Sequence, residues 1–296
     1  MQKFTIKDIE NLTGIKAHTL RIWEQRYTFF QSKRKESLHR FYDNEDLKKL
    51  LRISFLYHNG WKVSAIARLS DEQILAEVRR AEPGNNNIHG FIAQLLGCAV
   101  DFDEYSFIRL LDTISEKIGF DACIREACYP YLQTVGLLWS TNNIIPAQEH
   151  FTSYIIQNRI IRETEKVTLQ ERQKPEIILY CPQGEHHELP LLFINYALRK
   201  NKWGTIFLGS NVHLNILEPV AEIGNIRFIY LHLITNFTGF TLDDYLEKVC
   251  RQFANKTIVA SGAVLQQNQR KFTNLVTLKS DEAIMKFISR QDLGNT

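Results

Sequence analysis

No run of about 18 apolar residues occurs in this sequence, so no membrane-spanning helix is predicted. The opening residues, Met1-Gln2-Lys3-Phe4-Thr5, lack the apolar stretch of a secretory leader, and the expectation is a cytoplasmic protein with no membrane partner. Cysteine is sparse. Cys98, Cys123, Cys128, Cys181 and Cys250 are odd in number, scattered among apolar residues and without the paired spacing of a zinc site. They read as reduced core thiols, which excludes a disulfide framework or a cysteine metal cluster. A large excess of charge is missing too: 36 Lys and Arg face 33 Asp and Glu, a net charge of +3. What is present is ordinary for a globular protein, with 44% hydrophobic and 23% charged residues, and 296 residues suffice for two or three domains.

The small net charge is unevenly placed. Residues 14–42 hold seven basic residues (16, 21, 26, 33, 34, 35 and 40) against Glu24 and Glu36, which makes that segment +5 and the remainder −2. A basic module at one end points to a polyanionic partner. Within it, Thr5 to Thr13 reads as a short helix with Thr5 as N-cap, Ile6, Ile9 and Leu12 on one face, and Gly14 as its stop. Lys16 to Arg26 forms a second helix after a very short turn, the helix-turn-helix pattern. That helix exposes Lys16, His18, Thr19, Arg21 and Arg26 and turns Ala17, Leu20 and Trp23 inward, so its N-terminal end would enter a major groove. Residues 33–42 read as a basic β-ribbon or wing, with Trp23 and Phe41 in the core and the Tyr42 hydroxyl free for a phosphate. Asp43 or Asn44 then caps a third helix that ends before Gly60.

Phe4-Thr5-Ile6, Thr13-Gly14-Ile15, the run Thr19-Leu20-Arg21-Ile22-Trp23-Glu24-Gln25-Arg26-Tyr27, and Arg40-Phe41-Tyr42 with Asp46-Leu47 resemble the MerR family of transcription regulators over residues 4 to about 70. The resemblance implies double-stranded DNA with an inverted-repeat operator as partner, and self-association as a dimer or tetramer. It assigns Thr19, Arg21, Arg26 and Tyr27 to the recognition helix, and Arg34, His39, Arg40 and Tyr42 to the wing.

Pro83-Gly84-Asn85-Asn86-Asn87 is the clearest linker. Beyond it, segments near 88–99, 103–118, 121–138 and 146–165 have helical periodicity and suggest an antiparallel four-helix bundle. Pro146 is a good first helical residue and places Glu149 and His150 in the opening turn. The Trp139-x9-Glu149-His150 spacing resembles the cap motif of cobalamin-dependent MerR-type regulators, the CarH/LitR group. This implies that Trp139, Glu149 and His150 lie over the upper face of a cobalamin. Ser140 follows Trp139 where the light-sensing branch of that group carries a histidine, so no stable bis-histidine photoproduct is expected.

From residue 176 onward, apolar strands near 176–182, 204–209, 226–235, 256–263 and 274–278 alternate with amphipathic helices, the signature of a parallel α/β sheet in flavodoxin-like order. The first loop, Gly184-Glu185-His186-His187-Glu188-Leu189-Pro190, can present an imidazole at the strand ends. It resembles the cobalamin-binding E/D-x-H-x-x-G signature, which implies His187 as lower axial ligand of cobalt and Glu185 as the carboxylate that orients it. Three positions depart from the signature. Pro190 replaces its glycine, His232-Leu233-Ile234 lacks the serine expected after the third strand, and Ser261-Gly262 stands for the glycine pair after the fourth. In the resembling group those small residues make room for the nucleotide tail of the cofactor.

The sequence therefore predicts three domains: a winged helix-turn-helix at 1–75, a four-helix cap bundle at 85–168 and a Rossmann-like, cobalamin-binding-type α/β domain at 174–296. The function expected is a DNA-binding regulator, not an enzyme. Its oligomeric state and operator binding would respond to adenosylcobalamin or methylcobalamin held between bundle and α/β domain, through Trp139, Glu149, His150, Glu185, His187, Ser261 and Gly262. The competing reading is a DNA-binding regulator whose C-terminal half is a cofactor-free assembly or protein-binding module. A corrinoid methyl carrier is disfavoured by the N-terminal DNA module.

Overall fold

In the computed structural model, residues 4–27, 33–34, 40–80, 88–140, 146–168, 173–223, 225–235, 241–268 and 270–290 are described. The chain divides into two compact units, 1–156 and 157–296.

The first unit opens with α1 (Ile6–Thr13), α2 (Ala17–Arg26), a two-stranded antiparallel ribbon of β1 (Lys33–Arg34) and β2 (Arg40–Phe41), and α3 (Asn44–His58). Thr5 caps α1 with a full capping box: its side chain accepts from Asp8 N–H, and the Asp8 carboxylate accepts from Thr5 N–H at 2.7 Å. Gly14, at φ 69°, ends the helix in the left-handed region. Asp43, rather than Asn44, caps α3, again with a capping box through Asp46. Ile9, Leu12, Leu20, Trp23, Leu47, Leu50 and Leu51 are buried, and α1 packs on both α2 and α3. Trp23 meets Tyr57 edge-on at 4.9 Å.

The short α4 (Val63–Ile66) and α5 (Asp71–Arg80) follow, then α6 (Ile88–Asp101) and α7 (Glu104–Ile118). One further helix is built from α8 (Phe120–Ala122), a π-helical stretch Cys123–Cys128 and α9 (Tyr129–Ser140), and α10 is Pro146–Thr168. The expected four bundle helices are present, but the π-helical stretch is new; it buries Cys123, Ile124, Ala127 and Cys128. α3 packs directly on α6, and Lys48 of α3 pairs with Asp101 of α6 at 2.5 Å. The segment expected as a domain at 1–75 and most of the one expected at 85–168 therefore fall in one compact unit, 1–156, whose boundary lies within α10. The linker predicted at 83–87 lies outside the described residues.

The second unit is the predicted α/β sheet. Its strands are β3 (Ile177–Pro182), β4 (Thr205–Val212), β5 (Phe228–His232), β6 (Thr257–Ser261) and β7 (Leu275–Leu278), all parallel, in the order β4-β3-β5-β6-β7. Helices α11 (Leu189–Lys200), α12 (Leu214–Ala221), α13 (Leu242–Gln252) and α14 (Asp281–Ile288) connect and flank them. All six residues of β3 are buried, as a central strand covered on both faces requires. Because the chain runs from β3 to β4 on one side and then to β5 on the other, the topological switch point falls between the C-terminal ends of β3 and β5.

Candidate functional site

Glu185 sits at that switch point. It is fully buried, and its carboxylate ties the loop after β3 to the segment after β5. One oxygen accepts from the His187 backbone N–H at 2.9 Å and lies 2.7 Å from His187 Nδ1. The other accepts from Ile234 N–H at 2.8 Å, Thr235 N–H at 2.7 Å and the Thr235 hydroxyl at 3.0 Å. Burial pushes this carboxyl upward, but the bonds from His187, Thr235 and Ile234 outweigh it and hold the group well below the usual carboxylate range. An ionised carboxylate only accepts, so in a neutral His187 ring Nδ1 carries the proton and Nε2 keeps its lone pair. The His187 side chain is 56% exposed. Neighbouring residues hold the loop: Gly184 N–H donates to Asn211 Oδ1 at 3.0 Å, Asn211 N–H to Glu185 O at 3.1 Å, and Ser210 N–H to Glu188 Oε2 at 3.1 Å. Pro190, the departure from the expected glycine, is the second residue of α11, in the first turn where no backbone donor is required.

Donor chemistry decides what such a site suits. Among the described residues no three His, Cys, Asp or Glu side chains gather to hold a metal ion. One half-exposed imidazole held by a carboxylate suits a metal that arrives with its other ligands already in place, and the buried carboxylate is the partner such a histidine needs. The chemistry of the Glu185–His187 pair is thus compatible with a corrinoid's metal.

Ser261 and Gly262, expected to line the cofactor, are arranged otherwise. Ser261 is fully buried, with its hydroxyl between the Tyr230 hydroxyl (2.7 Å) and His232 Nδ1 (2.8 Å). Gly262, at φ 117°, packs so closely that a Cβ there would lie 1.9 Å from Leu233 O. Ser261 as a ligand-facing residue is therefore corrected: its polar group is spent inside the domain. Burial pushes the His232 imidazole down to about 4, so its ring is neutral in this cluster.

In the first unit, Glu149 and His150 occupy the opening turn of α10 as predicted, with His150 Nδ1 3.4 Å from Glu149 Oε2 and the His150 ring mostly exposed. Trp139 lies in α9, and its side chain is outside the described residues.

The residues expected to face DNA lie on α2, just after it, and on the ribbon. His18, Arg21 and Arg26 are exposed on α2, Thr19 and Tyr27 are partly exposed, and Thr19 Oγ1 lies 3.3 Å from His18 Nε2. Lys16 is exposed but engaged, 3.1 Å from Glu10. Glu10 also accepts the Ala17 N–H at 3.2 Å, so the last turn of α1 caps α2, a role the sequence reading missed. His58, equally missed, reaches back to Thr13 O at 2.8 Å and steadies the turn. Tyr42 is corrected. It is completely buried, and its backbone bridges to Phe4, so its ring belongs to the core and not to a phosphate contact. Phe41, expected in the core, is the partly exposed neighbour, as strand alternation demands. Arg34 and Arg40 lie on the paired strands, their side chains outside the described residues, as is all of His39.

Residues 4–73 match the MerR HTH family regulatory protein, and residues 92–162 match the B12 binding domain. The HTH-type transcriptional repressor CarA of Myxococcus xanthus is 29% identical over 273 residues, covering 91% of this chain and 90% of CarA. The HTH-type transcriptional repressor CarH of the same organism is 24% identical over 252 residues, covering 83% and 84%. Among solved structures, the Methanosarcina barkeri monomethylamine corrinoid protein shares the fold over 67% of this chain and 96% of its own, with a TM-score of 0.53 and 12% identity. No helix of the described residues is long and apolar enough to cross a membrane. With a match to the MerR HTH family regulatory protein followed by a match to the B12 binding domain, the chain is a DNA-binding transcription regulator similar to the CarA and CarH repressors.

Proposed function

We propose that this regulator binds cobalamin, in its adenosyl or methyl form, through His187, and that binding sets how it occupies an inverted-repeat operator by changing its oligomeric state between dimer and tetramer. The observation that carries the reading is the Glu185–His187 pair: a buried carboxylate 2.7 Å from Nδ1 of a half-exposed imidazole at the switch point of the sheet. Cobalamin supplies a cobalt centre whose lower position a neutral imidazole can take. His187 provides that imidazole, Glu185 fixes its tautomer, and the N–H groups of Ile234 and Thr235 fix Glu185. The roles of Trp139, Glu149 and His150 rest on the sequence resemblance. On the DNA side, Arg21 and Arg26 of α2 supply exposed charge for phosphates or base edges. Coupling oligomeric state to operator binding multiplies the number of helix-turn-helix modules engaged together.

The test is a dark titration with adenosylcobalamin and methylcobalamin, read by visible spectrum and sedimentation, for the wild type, His187→Ala and His186→Ala. His187→Ala should weaken binding and change the spectrum, while His186→Ala should do much less. Equal effects of the two substitutions would refute the assignment. Absence of uptake by the wild type would favour a cofactor-free C-terminal module. On DNA, Arg21→Ala should lower the salt-dependence slope by about one.

A further inference from the structure

Coordination by His187 raises a question of space. A cobalamin carries its own nucleotide base below the ring, and a protein imidazole in that position displaces the base. The displaced tail must lie inside the protein or in solvent. One route inward from the His187 loop runs along the sheet face covered by α11 and α14, beneath the ends of β5 and β6.

That face is filled. Along β5, Phe228, Tyr230 and His232 point to it, and all three are buried. Phe228 packs against Trp203 and Phe287 at 5.4 and 5.8 Å, and Tyr230 against Phe287 at 6.1 Å. Trp203 Nε1 donates to Ile288 O at 2.8 Å, which closes the α14 side. At the top, Tyr230 donates to Ser261, and Ser261 meets His232 at 2.8 Å. The strand ends touch above this cluster: Leu233 N–H donates to Ser261 O at 2.9 Å, and Gly262 has no room for even a methyl group. His232 and Ser261, two of the departures from the cobalamin signature, are thus each other's partners. On the opposite face, Ile229, Leu231, Leu233, Ile258 and Ala260 belong to a core equally closed among the described residues.

We infer that the Tyr230–Ser261–His232 cluster fills the sheet face a nucleotide tail would have to enter, so this protein recognises the corrin ring alone and leaves the tail outside the α/β domain. The inference rests on the reading of His187 as the cobalt ligand. A ring can meet His187 from outside the sheet, whereas the tail does not fit the filled sheet face. Cobalamin must then give up its own base for His187 with no burial of the tail in return, while a corrinoid without a tail has no base to displace. Tail-less corrinoids, or corrinoids with any lower base, become ligands of the same class.

The experiment titrates the full-length protein in the dark with adenosylcobalamin and with adenosylcobinamide, which has the same ring and upper ligand but no tail. The expected result is a dissociation constant for adenosylcobinamide equal to or below that for adenosylcobalamin, with the same imidazole-bound spectrum, lost from both in His187→Ala. Tighter binding of adenosylcobalamin by the wild type would overturn the inference while leaving the His187 reading intact. Binding of neither would instead remove the His187 reading and the inference with it. A His232→Ser, Ser261→Gly double variant should shift the preference toward adenosylcobalamin by about tenfold, since burying about 60 Å² of tail suffices for that factor. Unchanged selectivity in a folded double variant would also count against the plug, and if the variant does not fold the wild-type comparison decides alone.

Discussion

Replacing Glu185 with glutamine removes a charge and one acceptor from a buried group that accepts from five donors: His187 N–H and Nδ1–H, Ile234 N–H, Thr235 N–H and the Thr235 hydroxyl. The better orientation of the new amide keeps its oxygen on Ile234 and Thr235 and turns its NH2 toward His187. That leaves the His187 backbone N–H facing another donor, a loss of about 1–3 kcal/mol. The three surviving bonds lose their charge assistance, and together the effect is about 2–4 kcal/mol of local stability. Amide hydrogen exchange at Ile234 and Thr235 is the direct assay, because it reads opening of this segment whatever the other unit does. Protection there should fall by about 30- to 1,000-fold, while amides of α13 stay unchanged. A second consequence follows from the same geometry. An amide NH2 at this position turns the His187 ring into an acceptor at Nδ1 and moves the proton to Nε2, which nitrogen-15 shifts of the ring will register. Wild-type protection at both amides, together with an unmoved tautomer, would refute the claim that the carboxylate organises this loop.

Two further outcomes test other parts of the chain. Gly14→Ala places a Cβ at φ 69° and 3.3 Å from His58 Nε2, and should destabilise the DNA-binding module by about 1–2 kcal/mol in thermal or urea unfolding; a neutral change would contradict the strained turn. Tyr131→Phe removes the buried hydroxyl that donates to Thr152 at 2.9 Å, and should cost about 1 kcal/mol, read as a lower melting temperature with retained helicity; no loss would mean the bond contributes nothing net.

Much of this protein was legible in its sequence because the signals are local. Capping at Thr5 and the left-handed stop at Gly14 depend on a few consecutive residues, and so do the inward Leu20 and Trp23 and the alternation of strand and helix after residue 176. The Glu185-x-His187 contact was also within reach, since two residues in one loop bring the carboxylate to the ring. Tertiary structure decided the rest. Tyr42 followed its bridge to Phe4 into the core, and the wing reading had no local cue for that contact 38 positions away. The charge of Glu185 is held by Ile234 and Thr235, some 50 residues on, and neither residue type advertises a backbone N–H. His232 and Ser261 stood in the sequence as two separate departures from a pattern. Only parallel pairing of β5 with β6, which sets His232 beside Ser261, makes them one hydrogen-bonded plug. Sequence fixes which groups are available at short range, where chain connectivity leaves little choice of neighbour. Sheet register and burial fix which distant groups meet, and here that pairing governs what the site can admit.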